Sequence, residues 1–342
     1  MRELILVTGG TGYIGSHTAV ELIQAGFEVV IVDNLFNSSR DVLEGIREIT
    51  GCMPHFEEFD LCDGSRTDHL FRKYERIKAV IHFAAYKSVG ESVQKPLEYY
   101  WNNLMSLVNL LKNMQLRQVP FLVFSSSCTV YGEPDRLPVT ENSPIKKASS
   151  PYGNTKQICE EIIMDFIRSG ALINAVSLRY FNPIGAHPSA LIGELPQGIP
   201  NNLVPFITQT AAGIHAELTV FGDDYNTPDG SAIRDYINVV DLSQAHVAAI
   251  ERLLQAGNKP GYEVFNLGTG AGVSVLEINR VFEKATGIKL NYRIAGRREG
   301  DVEKVYADTS LANKLLGWKT RISLEDTLLS AWNREKKYRN LV

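Results

Sequence analysis

Residues 7–15 read VTGGTGYIG, placing Gly9, Gly12 and Gly15 between the β-branched run LILVTG (4–9) and a helical pattern over 15–25. Glycines at that spacing mark any tight turn, so alone they decide little. Their surroundings decide more. A strand-like run leads in, an apolar helix leads out, and EVVIVD (28–33) ends on Asp33, 18 residues beyond Gly15. A carboxylate there hydrogen-bonds a ribose diol and repels a 2′-phosphate, while bare glycine amides at a helix N-terminus hold a pyrophosphate. The turn points to NAD rather than NADP. The competing reading of Asp33, beside Asn34, is a turn or helix cap, and the joint spacing speaks against it.

The same alternation continues outward. HFEEFD (55–60), AVIHFAA (79–85), FLVFSSS (121–127) and NAVSLRYF (174–181) read as strands, separated by helical stretches over 66–76, 96–117 and 152–168. Continuous apolar strands between amphipathic helices suit a parallel sheet covered on both faces. The expected fold is α/β: a doubly wound, Rossmann-type, NAD-binding parallel sheet over residues 1–182. After Asn182 the rhythm breaks into PIGAHPSALIGELPQGIPNN (183–202), and a loop of that length is more often functional than idle. Mixed elements follow: a helix near 203–213, strands LTVFG and DYINVV, helices near 241–255 and 274–285, strand KLNYRI and two last helices. Residues 183–342 are expected to form a second, smaller mixed α/β lobe that binds substrate, the two lobes interleaving late in the chain.

With 342 residues, 44% of them hydrophobic, the chain can bury a large core. A net charge of −4 and no polybasic run argue against nucleic acid and anionic membrane surfaces. Small-molecule partners are expected. No apolar run is long enough for a membrane span or a signal segment, which points to a soluble, cytoplasmic protein. Cys52, Cys62, Cys128 and Cys159 are unevenly spaced and lack a CxxC pair, so free thiols and no metal are expected.

SSPYGNTK (149–156) sets Pro151 in a first helical turn and brings Tyr152 and Lys156 onto one face at i and i+4. A tyrosine becomes a base near neutrality only if about 4 kcal/mol of preference for the phenolate is supplied. The lysine ammonium and an oxidised nicotinamide are two charges that can supply it. On its own such a pair reads as a core tyrosine beside a solvated lysine. FSSSCTV (124–130) adds Ser126 and Ser127 as hydroxyl donors at the carboxyl edge of the fifth strand, where ligands bind in open α/β sheets.

The glycine spacing, one residue wider than the common dehydrogenase pattern, resembles the extended branch of the short-chain dehydrogenase/reductase superfamily. Asp60-Leu61, where that superfamily contacts adenine, and the small residues of HFAA (82–85) agree with it. In the superfamily a serine or threonine, a tyrosine and a lysine form the catalytic set, and Ser127, Tyr152 and Lys156 match it. Further stretches make the chain similar, along nearly its whole length, to the UDP-glucose (UDP-galactose) 4-epimerase family. They include VVIVDNLFNS, HFAAYKSVGESVQKPLEYYWNN, VFSSSCTVYG, LRYFNPIGAH, PNNLVPFI, DGSAIRDYINVVDL, FNLGTG and GRREGDV.

That resemblance implies an isomerase with tightly held NAD. The cofactor would lie against Gly9, Gly12, Tyr13, Ile14 and Gly15, then Asp33, Asn34, Asn37 and Ser38, then Asp60 and Leu61. Phe83, Ala84, Ala85, Lys87, Asn102, Ser125, Tyr152, Lys156 and Phe181 would complete its site. The UDP-sugar would fall to Ser127, Tyr152, Asn182, Asn202, Leu203, Val220, Phe221, Arg234, Arg298, Asp301 and Val305. Independently of the family, Arg234 and Arg298 are forks suited to a diphosphate and Asp301 can accept from a ribose hydroxyl, against the plainer reading of surface ion pairs.

In GDVEKVYAD (300–308) the family alignment through Gly300-Asp301 and Ala307-Asp308 puts Val305 where side-chain bulk decides whether a 2-acetamido sugar fits; a slip of one residue would put Tyr306 there. A homodimer is also implied, through the helices at 96–117 and 152–168, whose Leu107, Leu111, Met114, Ile162 and Met164 could be core or interface. Two rivals remain in view. A nucleotide-sugar 4,6-dehydratase needs an Asp-Glu pair after the serine, where this chain has Cys128-Thr129. A non-catalytic NAD-sensing protein has no need of Ser127, Tyr152 and Lys156 together.

Overall fold

The apolar runs become strands, and those at the centre of the sheet are buried on both faces. The computed structural model describes residues 2–196, 198–256, 261–298 and 301–341. The chain begins β1 (Leu4–Thr8), α1 (Tyr13–Gln24), β2 (Glu28–Asp33), α2 (Asp41–Thr50), β3 (His55–Glu58) and α3 (Gly64–Lys73). It continues β4 (Ile77–His82), α4 (Val89–Gln94), α5 (Pro96–Leu116), β5 (Phe121–Ser127), a 3-10 turn (Cys128–Tyr131), α6 (Pro151–Arg168) and β6 (Asn174–Tyr180). Every residue of β1, β5 and β6 is buried, as a sheet covered on both sides requires.

Beyond β6 come β7 (Asn182–Ile184), α7 (Leu203–Ala211), β8 (Leu218–Phe221), β9 (Ile233–Arg234), β10 (Tyr236–Asn238), α8 (Val239–Ala256) and β11 (Gly261–Leu267). The chain closes with β12 (Val273–Ser274), α9 (Val275–Thr286), β13 (Tyr292–Ala295), β14 (Lys304–Val305), α10 (Ser310–Leu315) and α11 (Leu324–Arg339).

Seven strands form one parallel sheet in the order β11-β6-β5-β4-β1-β2-β3. One face packs against α1, α2 and α8 through Val20, Leu43, Ile46, Leu242 and Ile250. The other packs against α3, α5 and α6 through Leu70, Leu107, Leu110 and Ile163. Each such side chain contributes about 1.5–3 kcal/mol. The strand order reverses between β1 and β4, so a crevice opens beyond their carboxyl ends. A separate core of Ile184, Ile207, Phe282, Leu328 and Trp332 joins α7, α9 and α11 in the smaller part, whose short sheets pair β7 with β10, β8 with β13, and β9 with β12 and β14.

Some details differ from the sequence reading. DYINVV is a strand only over Tyr236–Asn238, because the Asn238 side-chain oxygen accepts from Val240 N at 2.7 Å and starts α8 there. The seventh strand, β11, was not expected as one, although its residues lie in the sheet beside β6. Leu107, Leu111 and Met114 are core residues, at most 4% exposed. No helix among the described residues is long and apolar enough to cross a membrane.

Three histidines lie inside this packing. Burial holds His17 and His82 down to about 3 and His246 to about 4. The unfolded chain therefore binds protons below its histidine value of about 6.5 that the fold excludes. Stability should be full above that pH and fall as pH drops, by roughly 2 kcal/mol per histidine at pH 5. Urea midpoints measured from pH 7 to pH 5 check this; a flat series would contradict it.

Candidate active site

The glycine turn is a place where backbones touch. Gly9 has φ +68°, and a Cβ on it would lie 2.8 Å from Ala84 N; one on Gly15 would lie 2.3 Å from Gly9 O. The carboxyl end of β1, the start of α1 and the end of β4 can therefore meet only around glycine. Helix α1 opens at Gly12 with no side-chain cap and no acidic residue in its first turn, leaving its N-terminal amides to an anion.

Asp33 accepts from Thr11 N at 3.1 Å, Leu35 N at 3.0 Å and Ser38 Oγ at 3.3 Å. It organises the 34–38 loop and keeps one of its roughly four acceptor positions open to a ribose hydroxyl. Asn34 donates to Asp60 at 3.3 Å, while Asn34 and Asn37 are exposed along the rim. Leu61 is buried in the sheet core, and its carbonyl accepts from Asn109 at 2.8 Å. Ala84 N donates to Thr8 Oγ1 at 3.3 Å, and Phe83 packs on His246. Tyr13 donates to Gly185 O at 2.7 Å, and Lys87 lies over the Tyr13 ring while pairing with Glu194 at 3.6 Å. Asn102 donates to Asn103, which ties Tyr86 to Thr155. These groups fit a dinucleotide: free amides for phosphates, a carboxylate for the diol, and small residues across the sheet edge.

Ser150 caps α6 by accepting from Gly153 N at 3.1 Å, with Pro151 in the first turn, a start worth about 1 kcal/mol. Lys156 is buried and donates to Ser125 O at 2.7 Å, with its ammonium 5.9 Å from the Tyr152 ring centroid. Ser127 caps the 3-10 turn by accepting from Thr129 N at 3.2 Å, and its hydroxyl lies near enough to the Tyr152 phenol to favour the phenolate. Tyr152, Lys156 and Ser127 are thus brought together.

One expectation is corrected here. Ser126 does not join Ser127, because successive strand residues point to opposite faces; it turns to Glu160 at 2.5 Å. Without a dinucleotide the protein holds Tyr152 protonated, which leaves the expected nicotinamide charge still to be supplied. Burial pushes the phenol well above its usual value, with Tyr180 adding to the shift and Ser127 opposing it, while burial pulls Lys156 down to about 8.

On the far side of the crevice Asp301 collects both arginines. Arg298 donates to it at 3.1 and 2.8 Å, and Arg234 approaches to 3.5 Å. Phe221 is exposed beneath Arg298, whereas the Val220 side chain is buried in the smaller core and offers no ligand surface. Asn202 is held by Glu194 at 2.6 Å at the opening of α7, Leu203 packs on the smaller core, and Asn182 N donates to Asp235 O at 2.9 Å. Val305 clusters with Phe181, Val130 and Tyr131, and Tyr306 turns the other way toward Gly272. Gly300 lies outside the described residues. Tyr180 was missed by sequence reasoning, yet it sits opposite Ser127 in the β5–β6 register and bonds Ser125. Glu194, which serves both Lys87 and Asn202, left no signal in its loop.

A model of the family described as GDP-mannose 4,6 dehydratase matches residues 6–330. The UDP-glucose 4-epimerase of Mus musculus is 49% identical over 341 residues, covering 98% of this chain and 97% of that one. Among solved structures, UDP-glucose-4-epimerase from Stenotrophomonas maltophila, with bound NAD and formylated UDP-arabinopyranose, superposes at TM-score 0.96 with 47% identity over 100% of both chains. The UDP-glucose 4-epimerase of Bifidobacterium longum in complex with NAD+ and UDP gives 0.94 and 46%, covering 99% of this chain and 100% of that one.

The raised phenol yields a measurement. In protein stripped of dinucleotide, the absorbance difference between the parent chain and Tyr152→Phe should show no phenolate at this residue below about pH 10. Oxidised dinucleotide should bring the transition down. A phenol that titrates near neutrality without dinucleotide would show that the protein alone activates it.

Proposed function

The chain belongs to the UDP-glucose 4-epimerase family of the extended short-chain dehydrogenase/reductase superfamily, and from that premise we propose that it interconverts UDP-glucose and UDP-galactose. The observation that carries the reading is the convergence of Ser127, Tyr152 and Lys156 beside the glycine turn, with no carboxylic acid at positions 128 and 129. Cys128, its thiol pushed up to about 12 by burial, and Thr129 are not an acid-base pair for dehydration.

NAD, when bound, takes up and returns a hydride and places a positive charge in the site. Tyr152 takes the proton from the sugar 4-hydroxyl and later gives it back, and Ser127 hydrogen-bonds the reacting oxygen. Lys156, held by Ser125 O, keeps its charge beneath the phenol and favours the phenolate. Arg234 and Arg298 exchange Asp301 for the diphosphate, which anchors UDP while the 4-keto sugar turns over and is reduced from its other face. Inversion without net oxidation requires the cofactor to stay in place.

In this reading residues 1–182 hold NAD and 183–342 hold the UDP-sugar, with α8 and β11 returned to the first sheet. A cytoplasmic homodimer through α5 and α6 completes it, supported by Leu97 and Trp101, which are 81% and 61% exposed on α5.

The purified protein should release NAD on heat denaturation and turn over without added cofactor; an empty supernatant, with turnover dependent on added NAD, would contradict retention. Tyr152→Phe should lower turnover by ~10²–10⁴-fold while still binding UDP. A loss under tenfold would remove Tyr152 as the base.

A second activity is favoured by the position of Val305 beside Phe181, with Tyr306 turned away. A valine there leaves room for an acetamido group, so UDP-N-acetylglucosamine and UDP-N-acetylgalactosamine should also be interconverted. Val305→Tyr should abolish that activity and spare the plain hexoses. Absence of N-acetyl activity in the parent would end the claim, and equal loss of both activities would mean general damage.

A further inference from the structure

Behind the reacting side chains lies a polar cluster that the chemistry above does not use. Glu160 is 1% exposed, and Arg179 grips its carboxylate with Nε to Oε1 at 2.9 Å and Nη2 to Oε2 at 2.5 Å. Ser126 Oγ donates to the same carboxylate at 2.5 Å. Arg179 Nη1 reaches the Tyr131 hydroxyl at 3.0 Å, which donates to Asn266 Oδ1 at 2.7 Å. Asn266 Nδ2 donates to Val139 O at 2.9 Å, and Val139 N donates to Tyr306 O at 2.9 Å.

Each member adjoins a residue of the site. Ser126 lies between Ser125, whose carbonyl receives Lys156, and Ser127. Glu160 is one helical turn beyond Lys156 and two beyond Tyr152, so it shares their side of α6. Arg179 precedes Tyr180, Tyr131 ends the turn that follows Ser127, and Tyr306 follows Val305. A buried ion pair recovers its desolvation cost only with good geometry and is weak evidence for stability. What this one does set is the relative position of β5, α6 and β6.

We propose that Glu160, gripped by Arg179 and Ser126, is a positioning residue that fixes the height and rotation of α6 on β5, so that Tyr152 stays beside Ser127 and Lys156 beside Ser125. The proposal rests on the epimerase reading above. The carboxylate also acts on Lys156 through its charge, opposing the loss of the ammonium proton that burial promotes. The titratable groups facing Lys156 are Tyr152, Cys159 and Glu160 from its own helix and His82 from β4. Tyr99 from α5 and Tyr180 from β6 face Tyr152, and Tyr262 from β11 faces Glu160 beside Arg179.

Glu160→Gln keeps the size of the side chain and removes its charge. With UDP-galactose as substrate, kcat should fall about tenfold or more, as a small misplacement of reacting groups does, while KM and UDP affinity stay within about twofold. The alkaline limb of the kcat–pH profile should move to lower pH, because Lys156 loses the anion that helps hold its proton. Glu160→Asp restores the charge at a shorter reach and should return the limb to its parental position with kcat still reduced. Ser126→Ala cuts only the tie to β5 and should lower kcat severalfold with the limb unmoved.

A parent chain that carries NAD and interconverts the sugars establishes the epimerase reading independently of these variants. In that parent, a Glu160→Gln protein with unchanged kcat, or one whose kcat loss tracks its melting temperature with the limb in place, overturns the proposal. If Glu160→Gln does not fold, Ser126→Ala decides, and an unchanged kcat there overturns it.

Discussion

Lys156 is only 4% exposed, and its ammonium donates to a backbone carbonyl, Ser125 O, at 2.7 Å. A buried cation without such a partner costs several kcal/mol, so α6 can settle on the sheet only where this contact forms. Much follows from that one docking. Pro151 and Ser150 start the helix at a defined residue, and Tyr152, one turn before the lysine, is carried to Ser127 at the end of β5. Ser125 also bonds the Tyr180 hydroxyl, which keeps the end of β6 in line with the same edge.

The crevice in front of this edge is made by absence of side chains. Gly9 and Gly15 let three backbone segments approach closer than any Cβ allows, and α1 begins there with uncapped amides. The smaller part is tied across the crevice by Tyr13 to Gly185 O and by Lys87 to Glu194. Glu194 in turn holds Asn202 at 2.6 Å, so the long loop after β7 is tethered at the site rather than left as a connector.

Burial in the scaffold works against charge at the reacting groups, though Lys156 at about 8 still keeps its ammonium near neutrality. Burial raises Tyr152, lowers Lys156 to about 8 and keeps His82 neutral at about 3. A water-poor edge of this kind makes each added charge count for more, so the phenol responds to the positive charge that a bound oxidised nicotinamide brings. The match to a family model described for a dehydratase runs over residues 6–330 and so takes in the main sheet together with Ser127, Tyr152 and Lys156.

Periodicity and local chemistry were enough to read six of the main sheet's seven strands, the glycine turn, Asp33 and the Tyr152–Lys156 pair from the sequence. Strand alternation, helical i, i+4 spacing and glycine's lack of a Cβ act over a few residues, so their consequences are local and visible. Other features depend on what lies across space. Ser126 and Ser127 look alike in FSSSC, and only the sheet's two faces send one to Glu160 and the other to Tyr152. Asp301 gathers Arg234 and Arg298 from segments 67 and 3 residues away. Strand β11 is recognised as the sheet's edge only because β6 presents its hydrogen-bonding side to it. The sequence by itself determined most of the main elements and the local patterns of candidate residues; the tertiary structure decided which of them face one another, because a hydrogen bond or an ion pair depends on distance in space and not on separation along the chain.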